Sequence, residues 1–423
     1  MYRKLIPTDG ERLSFRLLTK NSLLLIVSNI GGAALSFGIS ILIGRGLGKL
    51  ELGSWTFLFA WVAIISLMCE FGINSLLTRD VSRSPEVANR LLVASLSVQI
   101  FFAGILGMVI WIFSPLLSIN SETFNAMPAV ITISFAGIVY GSFTAIFRSV
   151  QWIAPIVFSN ILGLVVQLAL SIFAIRLGGG LLHLIWIAAL IDIAQLISVG
   201  ILWWLKLSRS GGELRFSIDT SIVMVKHAVP FALAGIFAAI QMRSATMMVG
   251  YLRDTAELGL FGAASRWSES AKLIPNGIFG VLYPAFATKY GMDYYKRSVP
   301  IINVLAVGLV FTLCLFSGPI LYFSYGAEYE QGSSILFWLG IGLLPSLLNG
   351  NIQSYLYAAG EEKYATKMRG LAACIQILTG LPLVYFYGAV GAALSLLFGE
   401  IAIWLPLRKR MRKIMNKPVE RME

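Results

Sequence analysis

Charge is what this sequence has least of. Only 13% of its 423 residues are Asp, Glu, Lys or Arg, while 57% are apolar and the mean hydropathy is +0.79. A soluble domain carries about 25% charged residues, so two or three soluble domains of this total length are excluded. The chain is read as a polytopic membrane protein. Cysteine is nearly as scarce: Cys69, Cys314 and Cys374 each lie in an apolar run, at spacings that suit neither a metal site nor a disulfide framework. They are read as small buried hydrophobes. The two histidines, His183 and His227, stand far apart near the ends of apolar runs, and a structural role is assigned to both. No G-x-x-x-x-G-K-[ST] nucleotide loop, paired-carboxylate motif in a first loop or Ser–His arrangement occurs, and each of those is needed by a chemistry that the chain is therefore not expected to perform. No cofactor, no metal site and no enzymatic activity are expected. A cleavable signal is also lacking. The first twenty residues are polar and basic, and the run from 21 to 43 passes into Gly-Arg-Gly; it is read as an uncleaved first span.

What the chain does have is a series of apolar runs of about 20 residues, the length that crosses the hydrocarbon as a helix. Twelve spans are expected, at 21–43, 54–77, 91–117, 126–147, 153–175, 182–205, 229–250, 260–287, 299–323, 333–358, 368–387 and 389–407. Lys and Arg are retained in cytoplasmic loops. With the N-terminus inside, 26 of the 33 basic residues fall inside (counting Arg369, at the inner end of its span), four fall outside (Arg45, Lys49, Arg176, Arg253) and three, Arg243, Arg266 and Lys272, fall deeper within spans. A single miscounted span would invert every later loop and erase that bias. Twelve spans with both termini cytoplasmic in the inner membrane therefore follow. The same rule accounts for the net charge of +12, so no nucleic-acid partner is needed.

The longest inside connection contains SRSGGELRFSIDTS. Its Gly, Ser and charged residues make a linker, 206–228, between a first half, 1–205, and a second half, 229–407, followed by a basic tail, 408–423. Six spans per half require a parallel repeat about an axis along the membrane normal. One stretch carries the repeat in sequence. GRGLGKLELG at 44–53 is echoed 206 residues later by GYLRDTAELG at 250–259, and Trp61 falls opposite Trp267 at the same offset. Arg90 lands on Lys296 and Glu122 on Glu328. Gly53 and Gly259 are read as giving close turns at helix starts.

Ionisable groups inside a span face the protein interior or a water-filled cavity by default. Glu70, near the inner end of span two, is expected to reach the interface, and Glu400, near the inner end of span twelve, to lie within reach of a tail arginine. Span eight differs. In SRWSESAKLIPNG, Arg266, Glu269 and Lys272 recur at i, i+3, i+6 and sweep an arc of about 120° on one side of the helix. Arg243 in span seven, preceded by Gln241, is the natural neighbour. Three cations against one carboxylate leave positive charge in excess, so Arg243, Arg266 and Lys272 are assigned to an anion site. Arg45 is assigned to the same site, with Glu269 and Gln241 as polar lining. Asp192, isolated in span six, is a counter-charge or a coupling-ion ligand. Arginine forks match phosphate oxygens two at a time. A lipid diphosphate carrying sugars suits such a cavity and a cationic drug does not.

GRGLGKLELGSWTF after span one and EFGINSLLTRD at 70–80 resemble corresponding stretches of polysaccharide-export flippases. In the second half, VPFALAGIFAAIQMRSATMMVGYL and ELGLFGAASRWSESAKLIPNGIFGVLYPAFA resemble their spans seven and eight, with Pro230, Gly259 to Phe261, Pro275 and Pro284 at matching places. The family is the oligosaccharide-lipid flippase branch of the multidrug/oligosaccharidyl-lipid/polysaccharide exporter superfamily. The resemblance implies an all-α membrane protein of two six-helix bundles, V-shaped around a central cavity that opens alternately to each side. It departs in span seven, where many relatives have an acidic residue and this chain has Gln-Met-Arg-Ser-Ala. That departure weakens a cation-coupling site there. Relatives of the lipid II branch usually have two more spans, which favours an O-antigen, capsule or exopolysaccharide unit as cargo. The expected function is flipping of a polyprenyl phosphate- or diphosphate-linked oligosaccharide by alternating access. The expected partners are that lipid, membrane lipids, a coupling ion and a polysaccharide polymerase. Two alternatives compete: a cation-coupled multidrug exporter, which calls for acidic and aromatic cavity residues, and a membrane glycosyltransferase or polymerase, which calls for longer outside loops than these.

Overall fold

The computed structural model describes residues 15–208, 211–288 and 290–415. Of the basic residues counted above, Arg3, Lys4, Arg12, Arg209, Lys289, Lys417 and Arg421 lie outside them. Fourteen α-helices follow one another, and no strand occurs among the described residues. They are α1 (Phe15–Gly46), α2 (Lys49–Glu70), α3 (Ile73–Arg83), α4 (Ala88–Leu117), α5 (Ser121–Ser149), α6 (Ala154–Arg176) and α7 (Leu181–Lys206). Then come α8 (Ile218–Leu252), α9 (Thr255–Ala271), α10 (Leu273–Phe286), α11 (Gly291–Leu315), α12 (Ser317–Tyr325), α13 (Ser333–Ala358) and α14 (Glu362–Met415). Among the described residues nine helices are long and apolar enough to cross a membrane. The last, α14, is broken at Gly388, whose φ of 60° is non-helical, and so carries the two expected spans 368–387 and 389–407. The expected spans 229–250 and 260–287 fall on α8 and on the pair α9–α10.

The chain forms two compact units. The first takes residues to Leu42 and Leu58–Ala239, and the second takes Ile43–Phe57 and Ile240 onward. In the first unit α5 is the hub, packing on α3, α4 and α7. Its start is fixed by a capping box, in which the Thr123 amide donates to Asn120 Oδ1 and the Asn120 amide donates to Thr123 Oγ1, at 2.8 and 3.1 Å. These bonds satisfy two donors that a helix N-terminus leaves open. The α5 core joins Ile146 and Phe147 to Leu77, Val81, Leu92 and Trp203. In the second unit α13 is the hub, packing on α9, α10, α11 and α14. At one end Phe286 meets Tyr295 and Tyr355 edge-on, with centroids 6.2 and 5.7 Å away, a geometry favoured by the ring quadrupoles, and the two tyrosines lie tilted at 5.2 Å. The hubs carry the fourth and tenth expected spans, which are equivalent under the six-span repeat.

Gly53 and Gly259 do not make turns. They are the fifth residues of α2 and α9, neither has positive φ, and the turn before α2 is made by Gly48 at φ 94°. Their place is a close helix crossing inside the second unit. A Cβ on Gly53 would collide with the Thr255 carbonyl oxygen and stand 3.0 Å from the Gly259 nitrogen. A Cβ on Gly259 would collide with the Lys49 carbonyl oxygen and stand 3.2 Å from the Gly53 nitrogen. Lys49 and Thr255 are themselves 206 positions apart. One turn on, a Cβ on Gly262 would collide with the hydroxyl of Thr56, again its equivalent at that offset. The contact is thus reciprocal, residue for residue, as a pseudo-twofold repeat requires. Small residues permit such backbone approach where lipid supplies no hydrophobic drive between helices.

Candidate functional site

The second helix of each half is broken. In the first unit, α2 ends at Glu70 and α3 begins at Ile73, with Phe71 and Gly72 both left-handed at φ 47° and 69°. In the second unit α9 ends at Ala271 and α10 begins at Leu273. Pro275 follows on the first turn of α10; lacking an N–H, it cannot bond the carbonyl of Ala271. Interrupted helices at corresponding positions of two halves are the strongest fold-level pointer to a transporter's binding site. The expected spans 54–77 and 260–287 are thus each interrupted; proline forecasts the second break, and nothing in the sequence forecasts a left-handed phenylalanine.

The cations gather at the second break. Arg266 and Glu269 lie on the last two turns of α9 and Lys272 is the junction residue. Arg266 Nη1 lies 3.8 Å from Glu269 Oε2, with the two side chains 33% and 43% exposed. That is an ion pair too long for a hydrogen bond. Arg243 on α8 stands in electrostatic range of both Glu269 and Arg266. An exposed pair of this kind contributes about 0.2–1 kcal/mol, so an incoming anion that pairs well with the arginines competes with Glu269 easily.

Other residues assigned from sequence are placed elsewhere. Gln241 is two positions from Arg243, about 200° around the helix, and turns away from the cations. Its Nε2 donates to Glu400 Oε1 at 3.3 Å. Asn349 donates to Glu400 Oε2 and to the Glu400 carbonyl, both at 2.8 Å. Gln376 donates to Ser244 Oγ and to the Gln241 carbonyl. Glu400 is therefore held inside the second unit by amides, and the tail arginine Arg410 instead pairs with Glu361 at 2.6 and 2.7 Å. Arg45 caps α12: its Nε donates to the Ser324 carbonyl at 2.7 Å and its Nη2 to that of Phe323, where a helix C-terminus favours a cation. Tyr329 adds a bond from its hydroxyl to the Gly44 carbonyl. Asp192 lies on α7 in the first unit, has no hydrogen-bond or ion-pair partner among the described residues, and stands in electrostatic range of Tyr140. Glu70 does not run free to the interface; it hydrogen-bonds Asn74 in range of Arg148. Asn74 leads into a buried network with Gln99, Ser142 and Ser95, which leaves no mark in the charge pattern of the sequence because none of its members is charged.

Residues 18–290 match the family model described as polysaccharide biosynthesis protein. The chain belongs to that family. Among its curated relatives is a putative O-antigen transporter of Shigella dysenteriae, 24% identical over 374 residues, which cover 84% of this chain and 89% of that one. The fold of this family member is that of solved transporters of the MOP superfamily. An inward-facing multidrug resistance MATE family transporter matches 90% of this chain and 94% of its own, at a TM-score of 0.76 and 17% identity. The lipid II flippase MurJ, in an inward closed conformation, matches 96% of this chain and 89% of its own, at 0.71 and 17%. A MOP superfamily transporter from Pyrococcus furiosus, described as having a binding pocket of reversed polarity, matches 97% and 100% at 0.62 and 17%. The polysaccharide biosynthesis chain is thus an all-α, multi-pass membrane protein with the two-lobed fold of that superfamily.

Proposed function

We propose that the chain flips a lipid-(di)phosphate-linked oligosaccharide from the inner to the outer leaflet of the cytoplasmic membrane, by alternating access, for export of an O-antigen, capsule or exopolysaccharide. The observation that carries the reading is the group at the α9–α10 break, where Arg243 and Arg266 stand in range of one carboxylate, Glu269, and Lys272 is the junction residue. Net positive charge at an interrupted helix suits a phosphate or diphosphate. The arginines supply paired donors to its oxygens, Lys272 adds a mobile point charge, and Glu269 holds the arginines in place when no ligand is bound. Family membership and the O-antigen transporter relative support the cargo class. The role is transport, with no covalent step on the sugar. In this reading the halves 1–205 and 229–407 are joined by the linker 206–228, both termini are cytoplasmic, Asp192 serves a coupling ion, and membrane lipids and a polysaccharide polymerase are partners.

A cation-coupled drug exporter would need acidic groups facing its cargo. Here Glu269 is paired with Arg266 and Glu400 is tied to Gln241 and Asn349. The test is complementation of a strain lacking its flippase, with Arg243→Gln, Arg266→Gln and the double variant. Loss of surface polysaccharide at normal protein level is expected. Full complementation by the double variant would sink the anion-site reading.

A further inference from the structure

The last turns of α14 run beyond the expected span, which ends at 407, and stay helical to Met415. This extension is folded onto the second unit rather than trailing from it. Leu407, Met411 and Ile414 are buried with Tyr355, Ala365 and Met368. The Tyr364 hydroxyl donates to the Pro406 carbonyl at 3.1 Å, and Arg410 is gripped by both oxygens of Glu361 while lying over the Tyr364 ring. Arg410 is thereby committed to contacts within the protein, although its side chain stays 36% exposed. Arg408, Lys409, Arg412 and Lys413 are exposed and have no ion pair among the described residues.

Their position along the helix is what gives them meaning. At 100° per residue, Phe398, Ile401, Leu405, Arg408, Lys409 and Arg412 fall within an arc of about 100°. The first three are 41%, 48% and 52% exposed and lie within the expected span, so that arc faces lipid tails. The same arc turns from apolar to cationic within one turn, and Arg412 stands about 10 Å beyond Leu405. That is the depth at which a helix leaving the hydrocarbon meets the phosphates. Trp404, at the boundary, lies under the Arg408 guanidinium at 5.2 Å, and tryptophan at that level is an interfacial anchor.

We propose that this face of α14 is a docking rim for the phosphate groups of anionic phospholipids in the cytoplasmic leaflet. A rigid helix presents Arg408, Lys409 and Arg412 at phosphate depth on that lipid-facing arc, with Lys413 about 40° beyond its edge, so anionic lipids are retained there over zwitterionic ones. The rim is separate from the group at the α9–α10 break and holds whatever the cargo.

The full chain is reconstituted in phosphatidylcholine vesicles that contain either brominated phosphatidylglycerol or brominated phosphatidylcholine at equal mole fraction. The Trp404 signal is the difference between wild type and Trp404→Phe. A preference of about fivefold for quenching by the anionic lipid is expected, close to 1 kcal/mol. It should vanish when Arg408, Lys409, Arg412 and Lys413 are all changed to Gln, and in the wild type at about 1 M salt, where the Debye length is ~3 Å. Equal quenching by the two lipids in the wild type overturns the proposal, and is also what a rim covered by a soluble protein would give. A preference that survives high salt or the fourfold variant overturns it too. The salt arm stands even if the fourfold variant fails to fold. Quenching carries no information about flipping, so failure here leaves the proposed function untouched, and failed complementation by Arg266→Gln leaves the rim untouched.

Discussion

Replacing Gly53 by alanine tests whether the α2–α9 crossing is a true backbone contact. The new Cβ would overlap the Thr255 carbonyl oxygen and stand 3.0 Å from the Gly259 nitrogen. Both are backbone atoms, so no rotamer change relieves the clash and the helices must part. Overpacking of this kind costs about 1–3 kcal/mol. Alanine recovers about 0.5–1 kcal/mol over glycine inside a helix. The net expectation is a loss of up to about 2.5 kcal/mol. Gly259→Ala should lose the same, since it meets the equivalent carbonyl of Lys49. The double variant should lose less than the sum, because helices already moved apart accommodate the second methyl; neighbours that share a backbone shift are not additive. Gly308→Ala is the control, since it sits on the exposed face of α11 with nothing within 4 Å of a new Cβ, and it should be neutral or stabilising. The assay is the midpoint of thermal loss of monodisperse protein in detergent. A Gly53→Ala midpoint equal to that of Gly308→Ala would refute the crossing.

Three further perturbations test structural roles for a cation, a carboxylate and a left-handed glycine. Arg45→Ala should lower the thermal midpoint while leaving complementation per folded molecule unchanged, and Arg45→Lys should not restore it, because a single ammonium cannot replace the Nε and Nη2 donors to two carbonyls. Complementation lost at unchanged stability would return Arg45 to the anion site. Glu257 accepts from the Ala389 amide at 2.6 Å and pairs with Arg253 at 3.1 Å, so Glu257→Ala should cost about 1–3 kcal/mol, read by the same thermal assay; no shift would show that the turn at Gly388 is held by its own backbone. Gly72→Ala forces a Cβ into the left-handed region at about 1–2 kcal/mol, and a wild-type midpoint would mean that the α2–α3 break can move without penalty.

The sequence shows most of the helices because their apolar runs are long and their flanking charges consistent, and the two hubs, α5 and α13, fall where a six-span repeat puts equivalent helices. It hides what depends on contact across the chain. Gly53 reads as a turn former because it follows a Gly-rich loop, and only the Thr255 carbonyl opposite shows why a side chain is excluded. Arg45 reads as one more cation, because a capped helix nearly 280 residues away leaves no local trace. Of the site, Arg266, Glu269 and Lys272 are legible as a helical face, and Arg243 as their neighbour. Gln241 is misplaced by its closeness in sequence to Arg243, a closeness that the 200° between them around the helix undoes. Glu400 finds amides rather than an arginine because Asn349 and Gln241 come from two other helices.

The two broken helices have a consequence for water. Lipid supplies no hydrogen bonds, so interrupted backbone within an expected span is tolerated where other protein groups or water satisfy the freed donors and acceptors. At Phe71–Gly72 the α3 amides lack a preceding turn, and at Ala271 the carbonyl lacks the donor that Pro275 cannot give. Each unit therefore carries a place where hydration is favoured along its second helix. In the proposed transport, a sugar–phosphate head group that passes such places need not surrender its whole hydration shell at once. It can exchange solvent for protein a few hydrogen bonds at a time, and in the second unit the cations stand beside that exchange.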